Sequence, residues 1–171
     1  GNTNFGEQIV ALRDDYVYTN EPFDTTSMRA MRERQIRHTV RGGTFHPKFS
    51  PGGLTDVEYL VQGLQITHGL QNPDLRQANT RRAMKMLAEY GFLSQDDYIR
   101  LRKAHTFLRW LIDSLRVVRG NAKDITIQPD DSEEYAFLTR RLNYGTDRER
   151  LRSEIARFTA DIQDINSRLL D

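Results

Sequence analysis

The stretch LRSEIARFTADIQDINSRL, residues 151–169, decides the fold. Its apolar residues Leu151, Ile155, Phe158, Ile162, Ile165 and Leu169 recur at alternating spacings of four and three, the period of one helix face. Polar side chains fill the positions between, which leaves a narrow apolar seam suited to a partner helix. Thr146 followed by Glu149 makes a capping-box start, so a helix is predicted over about 147–169.

The partner lies just upstream. Ser94 with Asp97 forms another capping pattern, and Tyr98, Leu101, His105, Leu108, Ile112 and Leu115 continue a stripe that ends at Gly120. Ala104, Phe107, Leu111 and Val118 widen it, so this second long helix, about 94–119, is contacted on more than one side. Shorter helices are predicted from Phe5 to about Tyr18 and from an Asp24 cap through Met28, Met31, Ile36 and Val40. Others open at Thr55 and close near Gly69, or run from an Asn79 cap through Tyr90 to a stop at Gly91. A last short one runs from Ser132 to before Gly145. RGGTFHPKFSPGG, residues 41–53, holds four glycines and two prolines and cannot be helix interior. Residues 120–131 have room for one short strand at Ile125–Ile127. The fold class is therefore all-α: a multi-helix bundle with two long helices and one glycine- and proline-rich connection.

At 171 residues, 37% hydrophobic and 29% charged, with a mean hydropathy of −0.69, the chain suits one helical domain over 1–171. Gly1 to Asn4 read as tag or boundary residues. A formal net charge of +1 gives no field that would draw nucleic acid or an anionic membrane. The absence of cysteine removes disulfides, thiol catalysis and thiolate metal sites together. His38, His46, His68 and His105 never pair at helix spacing, so no metal site is expected. No stretch resembles a signal peptide or an apolar span, which suggests a cytoplasmic protein. His105, on an apolar stripe, reads as a packed histidine with a hydrogen-bond partner, and Trp110 as a core or interface residue.

The chemistry centres on KFSPGGLTDVEYLVQ, residues 48–62. A basic residue and a Pro-Gly-Gly turn lead into a helix whose first turn carries Thr55, Asp56 and Glu58. In structural terms Thr55 caps the helix, Glu58 closes the capping box, and Asp56 favours the positive helix end. In functional terms Lys48, Gly52 and Gly53 border a nucleotide or metal-phosphate group, with Asp56 and Glu58 as candidate catalytic carboxylates. Both readings stand at this point. Arg29, Arg32, Arg34 and Arg37 make a strongly basic helix suited either to solvent and ion pairs or to an acidic partner.

These residues resemble a segment of the glutamine-synthetase adenylyltransferases, Lys-x-Gly-x-Gly-Gly-Ile/Leu-x-Asp/Glu-Ile/Val-Glu-Phe/Tyr-x-Val-Gln. Lys48, Gly52, Gly53, Leu54, Asp56, Val57, Glu58, Tyr59, Val61 and Gln62 fall on it, while Ser50 replaces a glycine. MRAMRER at 28–34 and the long stretch 75–111, with Phe107, Leu108 and Arg109, resemble further helices of that family in the same order. His105 stands where a tyrosine is common and Ile112 where a glutamate is. The resemblance is good over about 25–130 and looser elsewhere.

It implies a fragment of a larger nucleotidyltransferase, related also to PII-uridylyltransferases: a helical domain beside a catalytic domain that uses ATP and Mg. Glutamine synthetase and a PII-type regulator are the partners so implied. The catalytic domain of that family needs a Gly-Ser turn and Asp-x-Asp, because paired carboxylates hold the magnesium that bridges the triphosphate. Neither occurs in this sequence, so transfer by this chain alone is not expected. The expected function is an accessory domain at the active-site rim. The alternative is a non-catalytic module that binds glutamine synthetase or a PII-type protein.

Overall fold

The computed structural model describes residues 1, 3–19, 21–120 and 125–170. Asn2, within the boundary segment, and residues 121–124 of the loop before the expected strand lie outside the described residues. Helices are α1 (Thr3–Val17), α2 (Thr25–Thr39), α3 (Leu54–His68), α4 (Thr80–Glu89), α5 (Gln95–Arg119), α6 (Glu133–Arg141) and α7 (Arg148–Leu169), with a 3-10 turn at Pro73–Leu75. The fold is an all-α multi-helix bundle, with the two long helices where the periodicity puts them.

Capping fixes most helix starts. The side chains of Asp24, Asn79, Ser94 and Ser132 each accept the amide three residues on, in α2, α4, α5 and α6. At α7 the cap is Asp147, accepting from Arg150 N at 2.9 Å, rather than the expected Thr146. A carboxylate there both accepts the amide and opposes the positive helix end, an advantage a hydroxyl lacks.

α5 and α7 run antiparallel through the centre, and α3, α4 and α6 pack around them. Phe107 stacks on Phe158 with ring centroids 4.6 Å apart. Leu151, Phe158, Ile162 and Ile165 of the α7 seam are buried, with Ile155 and Leu169 half-buried. At the far end of this pair Arg100 bonds Asp161 at 2.7 Å and Asp164 at 3.0 Å, while Arg168 meets Asp97 at 2.6 Å. The Arg168 guanidinium, with burial opposing it and Ser94 helping, holds the Asp97 carboxyl below the usual carboxylate range. Trp110 on α5 is 40% exposed and takes no part in the core. α1 lies outside the bundle with no buried residue, joined to it by Asp14–Arg76 at 3.0 Å and by the Arg76 guanidinium over the Tyr18 ring.

The expected strand is reduced to one antiparallel bridge, Phe45 with Ile127, whose amide donates to Phe45 O at 2.8 Å. The pairing stops there because the His46 amide turns to Ser50 Oγ at 2.8 Å, and Pro47 and Pro129 offer no donors.

The start of α3 also differs from expectation. Thr55 does not cap it. Gly53 holds the N-cap position without a side chain, and carbonyls of the folded loop accept the first amides: Leu54 N to Pro47 O at 2.9 Å and Thr55 N to Lys48 O at 3.1 Å. With those donors satisfied, Thr55 turns inward, 4% exposed, and its Oγ1 has no partner. Thr55→Val is therefore expected to be neutral or slightly stabilising in urea unfolding, since it removes an unsatisfied buried hydroxyl. A loss of about 1 kcal/mol, as for a true cap, would show that the hydroxyl does cap the helix.

Candidate functional site

The segment around Lys48–Glu58 divides between two openings. Asp56 is held on one side: its Oδ1 accepts Arg32 Nε at 2.5 Å and its Oδ2 accepts the Gly52 amide at 2.7 Å. Arg32 also donates to Ser50 O at 3.1 Å, so one guanidinium and one carboxylate tie α2 to the turn before α3. This pair borders a groove lined by Met28, Ile36, Tyr59 and Leu170. Glu58, two residues further on, faces a different cleft. The structure therefore does not bring the two candidate carboxylates together.

The Pro-Gly-Gly turn faces inward. Gly52 adopts φ +74°, and a Cβ there would lie 2.8 Å from Thr159 Cα; one on Gly53 would lie 2.8 Å from Ser50 O. Both glycines are buried, and the Gly53 amide donates to Ser50 O at 2.8 Å. Their amides are thus bonded within the protein. Lys48 is half-exposed, its ammonium 5.1 Å from the Phe49 ring centroid.

In the basic helix, Arg32 is 6% exposed and directed at Asp56, so it offers nothing to a partner. Arg29 donates to Leu170 O at 2.8 Å, and Arg37 lies 3.6 Å from Glu33. Arg34 is exposed.

The cleft that receives Glu58 has a volume of about 400 Å³ and is strongly polar. α3 contributes Glu58, the start of α4 contributes Asn79, Thr80 and Arg81, and α5 contributes His105, Thr106, Arg109 and Asp113. His105, Arg109 and Asp113 stand four apart, on one stripe of α5. Asp113 is engaged by Arg116 at 3.2 Å. Among the described residues Glu58, Arg81 and Arg109 have neither a hydrogen-bond nor an ion-pair partner. His105 is packed, 8% exposed, but the hydrogen-bond partner expected for it is missing at Nδ1. Its pKa is pushed down to about 4, first by burial and then by the positive charges of Arg109 and Arg81. Near neutral pH the ring is uncharged, so it can offer one N–H and one lone pair.

Arg81 was not singled out by the sequence, and Arg109 only as part of a resembling Phe-Leu-Arg. The available signal was the spacing His105–Arg109–Asp113, a polar stripe along the most buried helix. Among the described residues no three His, Asp or Glu side chains stand close enough together to hold a metal ion.

Sequence comparison defines the class first. The family whose model matches residues 26–170, from the start of α2 to the end of α7, is described as GlnD PII-uridylyltransferase. The bifunctional glutamine synthetase adenylyltransferase/adenylyl-removing enzyme of Streptomyces avermitilis is 33% identical over 151 residues, 85% of this chain and 15% of the relative. Its Streptomyces coelicolor counterpart is 30% identical over 152 residues, with the same shares, and that of Mycobacterium tuberculosis 32% over 128 residues, 75% and 12%. The chain belongs to the glutamine-synthetase adenylyltransferase family, related to the PII-uridylyltransferases. It spans only 12–15% of the length of these relatives. No helix among the described residues is long and apolar enough to cross a membrane.

Proposed function

We propose that the chain is the helical accessory domain of a larger, cytoplasmic adenylyltransferase, and that it packs beside the catalytic domain with the Glu58 cleft on the active-site rim. The observation that carries this is the convergence of Glu58, Arg81 and Arg109, none of them ion-paired among the described residues, on one polar cleft. Exposed charged side chains that converge on one cleft are available to a second domain, and pockets occur preferentially where domains meet. Glutamine synthetase as acceptor, a PII-type protein as regulator, and ATP with magnesium as the parent enzyme's reactants all belong to this proposal. Lys48, close to the same segment, would stand at the outer edge of the rim. The buried glycines Gly52 and Gly53 would shape the turn rather than touch phosphate.

The test is AMP transfer to glutamine synthetase, and its removal, by this chain alone and then joined to a family catalytic domain. Activity is expected only in the joined protein. Glu58→Gln there should lower turnover by about tenfold or more without altering stability, because Glu58 has no internal partner to lose. Unchanged turnover would remove Glu58 from the reaction, and activity of the isolated chain would remove the accessory reading.

A further inference from the structure

We infer that α1 of one copy of this chain docks by its apolar stripe into the groove between α5 and α7 of a second copy, and that reciprocal exchange of the two helices makes a dimer. The contact is independent of the function proposed above and of the Glu58 cleft.

Among the described residues the exposed large apolar side chains fall mostly on two surfaces. One is α1, where Ile9, Leu12 and Tyr16 are 50–86% exposed and Phe5 continues the stripe one turn earlier. A helix of this length is marginal in water unless packing supports it. The ties of α1 to the bundle lie at its C-terminal end, through Asp14 and Tyr18 to Arg76. The second surface is a groove of about 470 Å³. Phe107 and Phe158 form its floor, and Ile99 and Trp110 stand exposed at its edge.

The two surfaces match in period and in length. Phe5, Ile9, Leu12 and Tyr16 recur at spacings of four, three and four. Ile99, Lys103, Thr106 and Trp110, all lining the groove, repeat the same spacings. Each stripe is about 16 Å long at the rise of an α-helix. The aliphatic stem of Lys103 and the methyl of Thr106 continue the apolar surface between the two larger side chains. Anchors at this period are those with which an amphipathic helix occupies an apolar groove.

Their charges are opposite. Arg102 and Lys103 line the groove, the Arg157 guanidinium lies 4.1 Å from the Phe158 ring centroid, and that of Arg150 lies 5.4 Å from the Tyr144 ring centroid. None of these four cations has an ion-pair partner among the described residues. Glu154, the one carboxylate lining the groove among the described residues, accepts the Tyr144 hydroxyl at 2.6 Å. On α1, Asp14 is engaged by Arg13 and Arg76, which leaves Glu7 and Asp15 without an ion pair among the described residues. A basic rim around an aromatic floor therefore meets an acidic helix with apolar anchors. Pairing α1 with α1, or groove with groove, would set like charges together. Exchange about a two-fold axis makes both contacts at once and closes the assembly.

The test is sedimentation velocity with far-ultraviolet circular dichroism on this chain over a range of concentrations. A monomer–dimer equilibrium is expected, with helicity rising as the dimer forms, because docking stabilises α1. Ile9→Ala with Leu12→Ala should weaken association by about a hundredfold, since two apolar anchors are lost and helix propensity is kept. Reversing the groove, Arg102→Glu with Lys103→Glu, should weaken it by about tenfold or more. Adding Glu7→Lys with Asp15→Lys to that variant should recover association. All six residues are exposed, so urea unfolding of each variant at low concentration should stay close to that of the parent chain.

A monomer at every concentration would overturn the inference, as would a dimer that the α1 variant leaves intact. A dimer lost in the α1 variant but kept after groove reversal would mean that α1 pairs with α1, and would overturn it too. Failure of the second charge reversal to recover association would remove the complementarity on which the contact rests.

Discussion

Arg32→Ala is expected to lower the unfolding free energy by about 3 kcal/mol, and the melting temperature by roughly 6–12 °C for a chain of this size. Arg32 is one of several arginines on α2, yet it alone is drawn inside, 6% exposed, against Asp56 and the Ser50 carbonyl. Removing it leaves a half-buried carboxylate with only the Gly52 amide to balance it. It also leaves a buried carbonyl short of one donor. Breaking one partner of such a pair costs far more than the pair contributes over an apolar replacement. Arg34→Ala, on the exposed side of the same helix, should stay within about 0.5 kcal/mol. Urea unfolding of the two variants checks this, and equal losses would show that the Arg32–Asp56 contact has no special weight.

Gly52→Ala is expected to cost about 3 kcal/mol or more, from two independent penalties. The residue sits at φ +74°, where an L side chain loses roughly 1–2 kcal/mol. Its new Cβ would also lie 2.8 Å from Thr159 Cα, a backbone atom that cannot rotate away. Overpacking of this kind adds about 1–3 kcal/mol. Gly91→Ala separates the two penalties, because Gly91 has a similar φ of +79° and open space around it. It should lose only about 1–2 kcal/mol, the conformational share. Matching losses in the two variants would mean that the turn moves freely against α7. Because Gly52 and Arg32 both hold Asp56, the double variant should lose less than the sum of the singles.

Much of the fold could be read from local pattern. The spacings in 151–169 and 94–119 and the caps at Asp24, Asn79, Ser94 and Ser132 need only neighbours in sequence, and the structure agrees with them. The start of α3 could not be read this way. Its amides are bonded by Pro47 and Lys48 carbonyls, whose positions depend on how the loop folds, so the Thr55 hydroxyl was a plausible cap with nothing local to argue against it. The same limit applies to the site. Glu58 stands out as part of a motif, but Arg81 and His105 meet it only through the packing of α3, α4 and α5. A row of arginines likewise gives no sign of which one will be buried. Arg32 is picked out only once Asp56 is seen facing it.

The ion pairs joining α5 to α7 have a bearing on alignment. An apolar seam repeating every three or four residues fits its partner almost equally well after a slip of one turn, about 5.4 Å. The charged residues at its end do not. A slip in one direction would set Asp97 beside Asp164, and in the other Arg100 beside Arg168. In the observed alignment every one of these meets an opposite charge. The cluster thus acts as a key for the long hairpin of helices, rejecting near-misses that the greasy interior would tolerate.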